Sequence, residues 1–174
     1  ANDLPFYNMK MAKKIRHFTK KNQIDYLHIH DIQIAGAAIQ VCDELALKFT
    51  LDLHENRPEI MKYYKHVDSF WGKLLIDPKR WKIAEEKFIE KAHKVITVTK
   101  EAKKELLKRC MINAKKVVVY PNTVKKSFYL NKNIDQKISA DYSKEFVLLY
   151  IGNTSKRRGL ETVIYALPLL KEKI

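Results

Sequence analysis

Two stretches of this chain run out into a histidine followed by an acid. IDYLHIHD ends on His30-Asp31, and KFTLDLHE ends on His54-Glu55. Imidazole is the side chain that changes charge nearest neutral pH, and a neighbouring carboxylate can tune it or fix its tautomer. Such a histidine can accept a proton from an acceptor hydroxyl or hydrogen-bond a sugar, while Asp31 orients the ring or binds hydroxyls. The competing reading makes His28, His30 and His54 structural histidines or helix-start residues. A second constellation spans Gly152 to Gly159 and carries Lys156, Arg157 and Arg158 in a row. Free N–H groups at a helix start, joined by forked guanidinium donors, suit a diphosphate. A plain basic surface loop is the alternative.

The elements that must hold these residues follow from periodicity. Residues 4–22 read as an amphipathic helix with Met9, Ala12, Ile15 and Phe18 on its apolar side. Residues 24–30 form a strand, with Tyr26, Leu27 and Ile29 putting apolar groups on both faces as in a strand covered on both sides. Residues 32–47 are apolar nearly all round, and Ala35, Gly36, Ala37 and Ala38 make one side small, which fits a buried crossover helix. Residues 49–53 then form a second strand, parallel to the first through a right-handed connection. Ligands of open parallel sheets bind outside the carboxyl ends of the strands. Both His-acid pairs are therefore expected at one pocket.

Beyond Asn56-Arg57-Pro58, a loop or helix start, the chain is aromatic through Tyr63, Tyr64, Phe70 and Trp71. Asp77-Pro78 opens a helix whose stripe is Trp81, Ala84, Phe88 and Ala92. A third strand covers 95–98. Thr99 caps a helix that buries Ala102, Leu106, Leu107, Cys110 and Met111, with Glu101 in its first turn. A fourth strand covers 117–120 and stops at Pro121-Asn122. The pattern predicts an α/β fold, a parallel Rossmann-like sheet with flanking helices. Its first domain is expected over 1–123 and a polar linker over 124–144. Residues 145–174 are expected to supply a strand at 146–151, a loop and a helix over 160–171. One strand and one helix bury too little to stand alone, so the chain is expected to be an internal piece of a longer protein.

Composition narrows the classes. The chain has 174 residues, 46% of them hydrophobic, enough for a core. No stretch matches a membrane span or a secretory leader. Cys42 and Cys110 read as buried reduced thiols. Four glycines cannot assemble a dinucleotide-binding or P-loop motif. No His-x-x-x-His or Cys-x-x-Cys is present, and no metal ligands are assigned. A Ser-His-Asp hydrolase would lack its G-x-S-x-G elbow. The net charge is +14, and six cations between Lys10 and Lys21 stand without an acid among them. Residues 10–21 are thus a candidate peripheral contact with anionic membrane, or only a solvated face. Nucleic acid is not expected as a partner, because no recognition helix, zinc finger or RNP-type strand is found. Unpaired sheet edges make pairing between copies of the chain a further expected contact. The expected location is cytoplasmic, peripheral at the inner face of the membrane.

In combination these motifs resemble the GT-B nucleotide-sugar glycosyltransferases of the large retaining group called group 1 or family 4. DYLHIHD with a later LDLHE is similar to that family's N-terminal strand ends. WKIAEEKFIEKAHKVITVTKEAKKELLKR resembles its helix-strand-helix, VVVYPNTV its interdomain crossing, and YIGNTSKRRGLETVIYAL the opening of its C-terminal domain. The resemblance runs from Ile24 onward and rests on the order and spacing of the motifs. It implies transfer of a sugar from a nucleoside-diphosphate sugar, as co-substrate with no cofactor, to a sugar or lipid-linked acceptor hydroxyl. Configuration would be retained, without a metal, in polysaccharide or glycolipid synthesis.

By the same resemblance, His30 lies beside the reacting sugar and Arg158 contacts the donor diphosphate. The residues themselves suggest Asp31 as the catalytic companion of His30, His54 and Glu55 as acceptor or sugar ligands, and Gly152 and Arg157 beside Arg158 at the diphosphate. Asn153 stands where many members carry a further basic residue, for which Arg157 or Lys156 compensates. The family's glycine-rich loop would precede residue 1, and its paired donor-gripping glutamates would follow Ile174. The chain by itself is therefore expected to be inactive. The other readings are a non-catalytic basic α/β module for anionic membrane or nucleic acid, and an epimerase or phosphorylase of the same architecture.

Overall fold

The computed structural model describes residues 5–64, 67, 76–130, 142 and 146–170. Phe70, Trp71, most of the expected linker, the end of the expected last helix and the side chain of Arg157 lie outside the described residues. The chain divides into two compact units, Ala1–Asn122 and Thr123–Ile174.

The first unit runs α1 (Pro5–Lys21), β1 (Tyr26–His30), α2 (Ala35–Leu45), β2 (Lys48–Leu53), α3 (Arg57–Met61), α4 (Pro78–Lys91), β3 (Lys94–Thr97), α5 (Lys100–Arg109) and β4 (Val117–Val119). Its four strands form one sheet in the order β1-β2-β3-β4, and every pair is parallel. This is the expected α/β, Rossmann-like architecture with flanking helices.

Small residues explain how α2 is buried from two directions. Ala35, Ala38, Ile39 and Cys42 join the sheet core with Phe49, Leu51 and Val95. Ala37 and Val41 instead meet Ala12 of α1. Alanines at both contacts let the helix approach the sheet and α1 closely. Ala46 turns left-handed (φ 53°) to end the helix, and Leu47 N–H then bonds back to the Cys42 carbonyl at 2.9 Å. β2 lies inside the sheet and is buried along its length after Lys48.

The stripes differ from expectation in four places. Met9 and Phe18 are exposed, and α1 buries Ala12 and Thr19. β1 is not apolar on both faces: Ile29 is buried and Leu27 partly so, while Tyr26, His28 and His30 are exposed. It is one of the two outer strands of the described sheet, and its second face is left open. In α4 the buried residues are Trp81, Glu85 and Ile89, so the helix is rotated from the Ala84–Phe88 line and buries an acid. Met111 is almost fully exposed because α5 ends at Arg109. Both helix starts match expectation, the Thr99 cap included, and Asp77 proves to be a further cap. Asp77 accepts from the Lys79 N–H at 2.8 Å, and Thr99 Oγ1 from the Ala102 N–H at 3.0 Å.

The second unit contains α6 (Lys126–Leu130), a 3₁₀ turn at Lys156–Arg158, α7 (Leu160–Ala166) and a further 3₁₀ turn at Leu167–Leu170. A short helix thus occupies part of the segment expected to be a linker. The expected strand over 146–151 is not formed: no ladder includes these residues, and Phe146 to Ile151 are all exposed. A strand needs a neighbour to take its backbone hydrogen bonds, and the described residues provide none. No described helix is long and apolar enough to cross a membrane.

Candidate active site

The register of β1 and β2 builds the site. His30 stands opposite Asp52, and His28 opposite Thr50. Partners across a ladder share a face, as do residues two apart along a strand. His28, His30, Thr50 and Asp52 therefore project from the same face near the carboxyl end of the sheet, the two histidines exposed and Thr50 and Asp52 buried. His54, two residues beyond Asp52, joins them.

Three imidazoles surround one carboxylate oxygen. Asp52 Oδ2 lies 3.0 Å from His28 Nε2, 3.1 Å from His54 Nε2 and 3.7 Å from His30 Nδ1. The rings of His30 and His54 approach to 4.4 Å between centroids, at 40° to each other. The Asp52 side chain is only 11% exposed, whereas His30 is 61% exposed and open to a substrate. Tyr26 Oη and Thr50 Oγ1, 2.8 Å apart, continue the polar row toward the start of β1.

Asp31 faces a different partner. Its backbone is left-handed (φ 60°), a conformation that aspartate tolerates better than most residues, and its N–H still bonds to the Asp52 carbonyl at 2.9 Å. That turn carries the carboxylate to Arg57, whose Nη2 donates to Asp31 Oδ2 at 3.1 Å. Arg57 also donates to the Tyr64 hydroxyl at 2.9 Å and lies 3.7 Å from Glu55. Burial opposes the charge on Arg57, but Tyr64 and Asp31 outweigh it and hold its pKa above the ordinary value. The acids that follow the two histidines in sequence thus meet at one guanidinium, and the carboxylate beside His30 belongs to Asp52.

Beside this cluster lies a cleft of about 320 Å³, lined by His54, Glu55, Thr97, Glu101, Glu105 and Arg109 among others. Glu85 and Arg109 also line it, paired in a short contact. Arg109 reaches Glu105 at 2.9 Å and Glu86 at 3.2 Å as well. Burial pushes the Glu85 carboxyl above its ordinary range, against the pull of Arg109. Burial opposes the Arg109 charge too, and its carboxylates, Glu85 foremost, more than restore it.

In the second unit, a Cβ at Gly152 would lie 2.8 Å from Tyr150 Oη, the tip of an exposed side chain that donates to the Asn153 carbonyl at 2.8 Å and would have to move aside. Asn153 Oδ1 accepts from the Ser155 N–H at 2.7 Å. The 3₁₀ turn that follows exposes Lys156 and Arg158, and Gly159 closes it at φ 67°.

Sequence reasoning singled out His30, His54, Asp31 and Glu55 but missed Asp52, Arg57 and the pairing of His28. The missing signal is alternation. Adjacent residues of a strand point to opposite faces, while residues two apart share one, so His28-x-His30 and Asp52-x-His54 were the informative spacings.

A comparison with proteins of curated function finds no match. Residues 2–128 match the family model described as Glycosyltransferase Family 4. That span, well over half of the chain, includes the whole four-stranded sheet and the histidine cluster at its carboxyl end, and on that ground the chain belongs to glycosyltransferase family 4.

Proposed function

We propose that the chain carries the acceptor side of a retaining glycosyltransferase that moves a sugar from a nucleoside-diphosphate sugar to an acceptor hydroxyl. The observation that carries this reading is the meeting of His30 and His54 at a single carboxylate, beside a cleft at the strand ends. His30, the most exposed of the three imidazoles, contacts the reacting sugar, with the Asp52 carboxylate 3.7 Å from its Nδ1 and the His54 ring against it. Asp31, fixed by Arg57, keeps the strand end in place. His54 and Glu55 bind the acceptor along the cleft. Gly152, Arg157 and Arg158 take the donor diphosphate, and the nucleotide sugar is a co-substrate with no further cofactor.

The test is sugar transfer and nucleoside-diphosphate release by the protein that carries this chain, across a panel of donors. His30→Ala should lower turnover by about 10²–10⁴-fold with an unchanged circular dichroism spectrum. A wild-type rate would remove His30 from the chemistry.

A second surface bears on the acceptor. Lys10, Lys13, Lys14, Lys20 and Lys21 are exposed on α1, with Phe6, Met9 and Phe18 exposed on the same helix. Arg16 is not part of this charge, because Glu44 takes it in a two-pronged pair at 2.6 and 2.8 Å. Such a helix suits an anionic membrane surface and hence a lipid-linked acceptor. Sedimentation with liposomes should rise with their anionic lipid content, and indifference to it would remove this contact.

A further inference from the structure

From the same cluster we infer that His28, His30 and Asp52 form a binding site for a borderline transition-metal cation, Zn²⁺ first among them. One donor atom from each of the three residues lies within 4.8 Å of the others. The oxygen of Asp52 stands 3.0 Å from His28 Nε2 and 3.7 Å from His30 Nδ1. Four-coordinate zinc, with bonds near 2.0–2.1 Å, sets its donors about 3.4 Å apart, so these separations already bracket what the ion needs. The scaffold is stiff where precision matters. His28 and His30 are two apart on one strand, and Asp52 is locked opposite His30 by the ladder.

The donor chemistry selects the ion. Two imidazoles and one carboxylate favour zinc, cobalt, nickel or copper over magnesium or calcium, which prefer all-oxygen shells. Asp52 Oδ1 is buried with no hydrogen-bond partner, so the protein engages this carboxylate through Oδ2, the oxygen that faces the histidines. His54 Nε2, 3.1 Å from the other oxygen, is placed as the neighbour that orients the carboxylate, as partners beyond the ligand shell commonly do. The imidazole rings of His28 and His30 are half exposed or more, which leaves the ion a path from solvent and the rings freedom to close on it.

The consequence for activity rests on the reading of His30 given above. A metal held by His30 withdraws that imidazole from the sugar, so zinc is an inhibitor of transfer. The binding claim itself does not depend on that reading.

The experiment uses the chain stripped with a chelator and titrated with Zn²⁺ by calorimetry, and with Co²⁺ by visible absorption, with no donor or acceptor present. Saturable binding of a single ion per chain is expected, with the absorption of low-coordinate cobalt. His28→Ala and Asp52→Asn should each weaken it by at least about tenfold, while His17→Ala and His93→Ala, outside the cluster, should not. Should Asp52→Asn fail to fold, His28→Ala decides, because that ring is half exposed. Absence of saturable binding, or wild-type affinity in His28→Ala, overturns the site. Because the readout needs no turnover, loss of the metal site leaves sugar transfer untouched, and an inactive enzyme that binds zinc leaves the metal site standing.

Discussion

Residues 1–122 and 123–174 contain equally convincing strand text, yet among the described residues only the first unit turns it into strands. KFTLDL is a buried strand between two parallel neighbours, while FVLLYI, more apolar still, is exposed at every position. All the buried residues found among those described belong to the first unit. Apolar, β-prone composition is thus permissive for a strand, and a neighbour with matching register decides. The site follows the same division. The histidine cluster is held by ladder register, whereas the cationic turn near Gly159 is shaped by local hydrogen bonds within a few residues.

The widest gap between the two units should appear in amide hydrogen exchange. Leu51 and Val95 should be protected up to the global unfolding free energy, of order 5–15 kcal/mol for a domain. Residues 146–151 should exchange with protection near zero. Strong protection there would mean that this segment is paired, and the contrast would collapse. Next in size is Arg109→Ala, which strands a buried Glu85 carboxylate and should destabilise the first unit by about 3–5 kcal/mol in urea unfolding. The sign with pH is fixed. An acid whose folded pKa is raised favours the folded state when protonated, so this loss should shrink as pH falls into the Glu85 range.

Gly159→Ala probes the second unit where its backbone matters. The position is left-handed with open space around it, so only backbone strain opposes the new methyl, about 1–2 kcal/mol. Cα chemical shifts of residues 160–166 should report partial loss of α7. Smallest of all, Leu149→Ala should change urea stability by less than about 0.5 kcal/mol, although leucine at a buried position such as Leu51 would lose about 2–5. A large effect at Leu149 would show a core that its exposure denies.

Much of the first unit was legible in the text. Strand spacing, the small-sided crossover helix, the helix start at Asp77-Pro78 and the Thr99 cap each rest on local chemistry that few neighbours can override. What stayed hidden depended on rotation and register. The α4 stripe is turned so that Glu85 faces inward, which no apolar count selects, because its burial depends on Arg109 from another helix. Asp52 carries no signal of its own within its strand, and its role appears only because β1 places His30 opposite it. Asp31 and His30 read as a pair because they are adjacent, yet adjacency in a strand sends side chains apart.

The left-handed backbone at Asp31 has a bearing on how position 31 can vary. Glycine or asparagine would keep the bend, whereas valine or isoleucine would pull the chain straight, lengthen the strand by a residue and swing the following turn away from Arg57. One torsion would then undo the Asp31–Arg57 anchor beside the histidine cluster, with every imidazole still in the sequence.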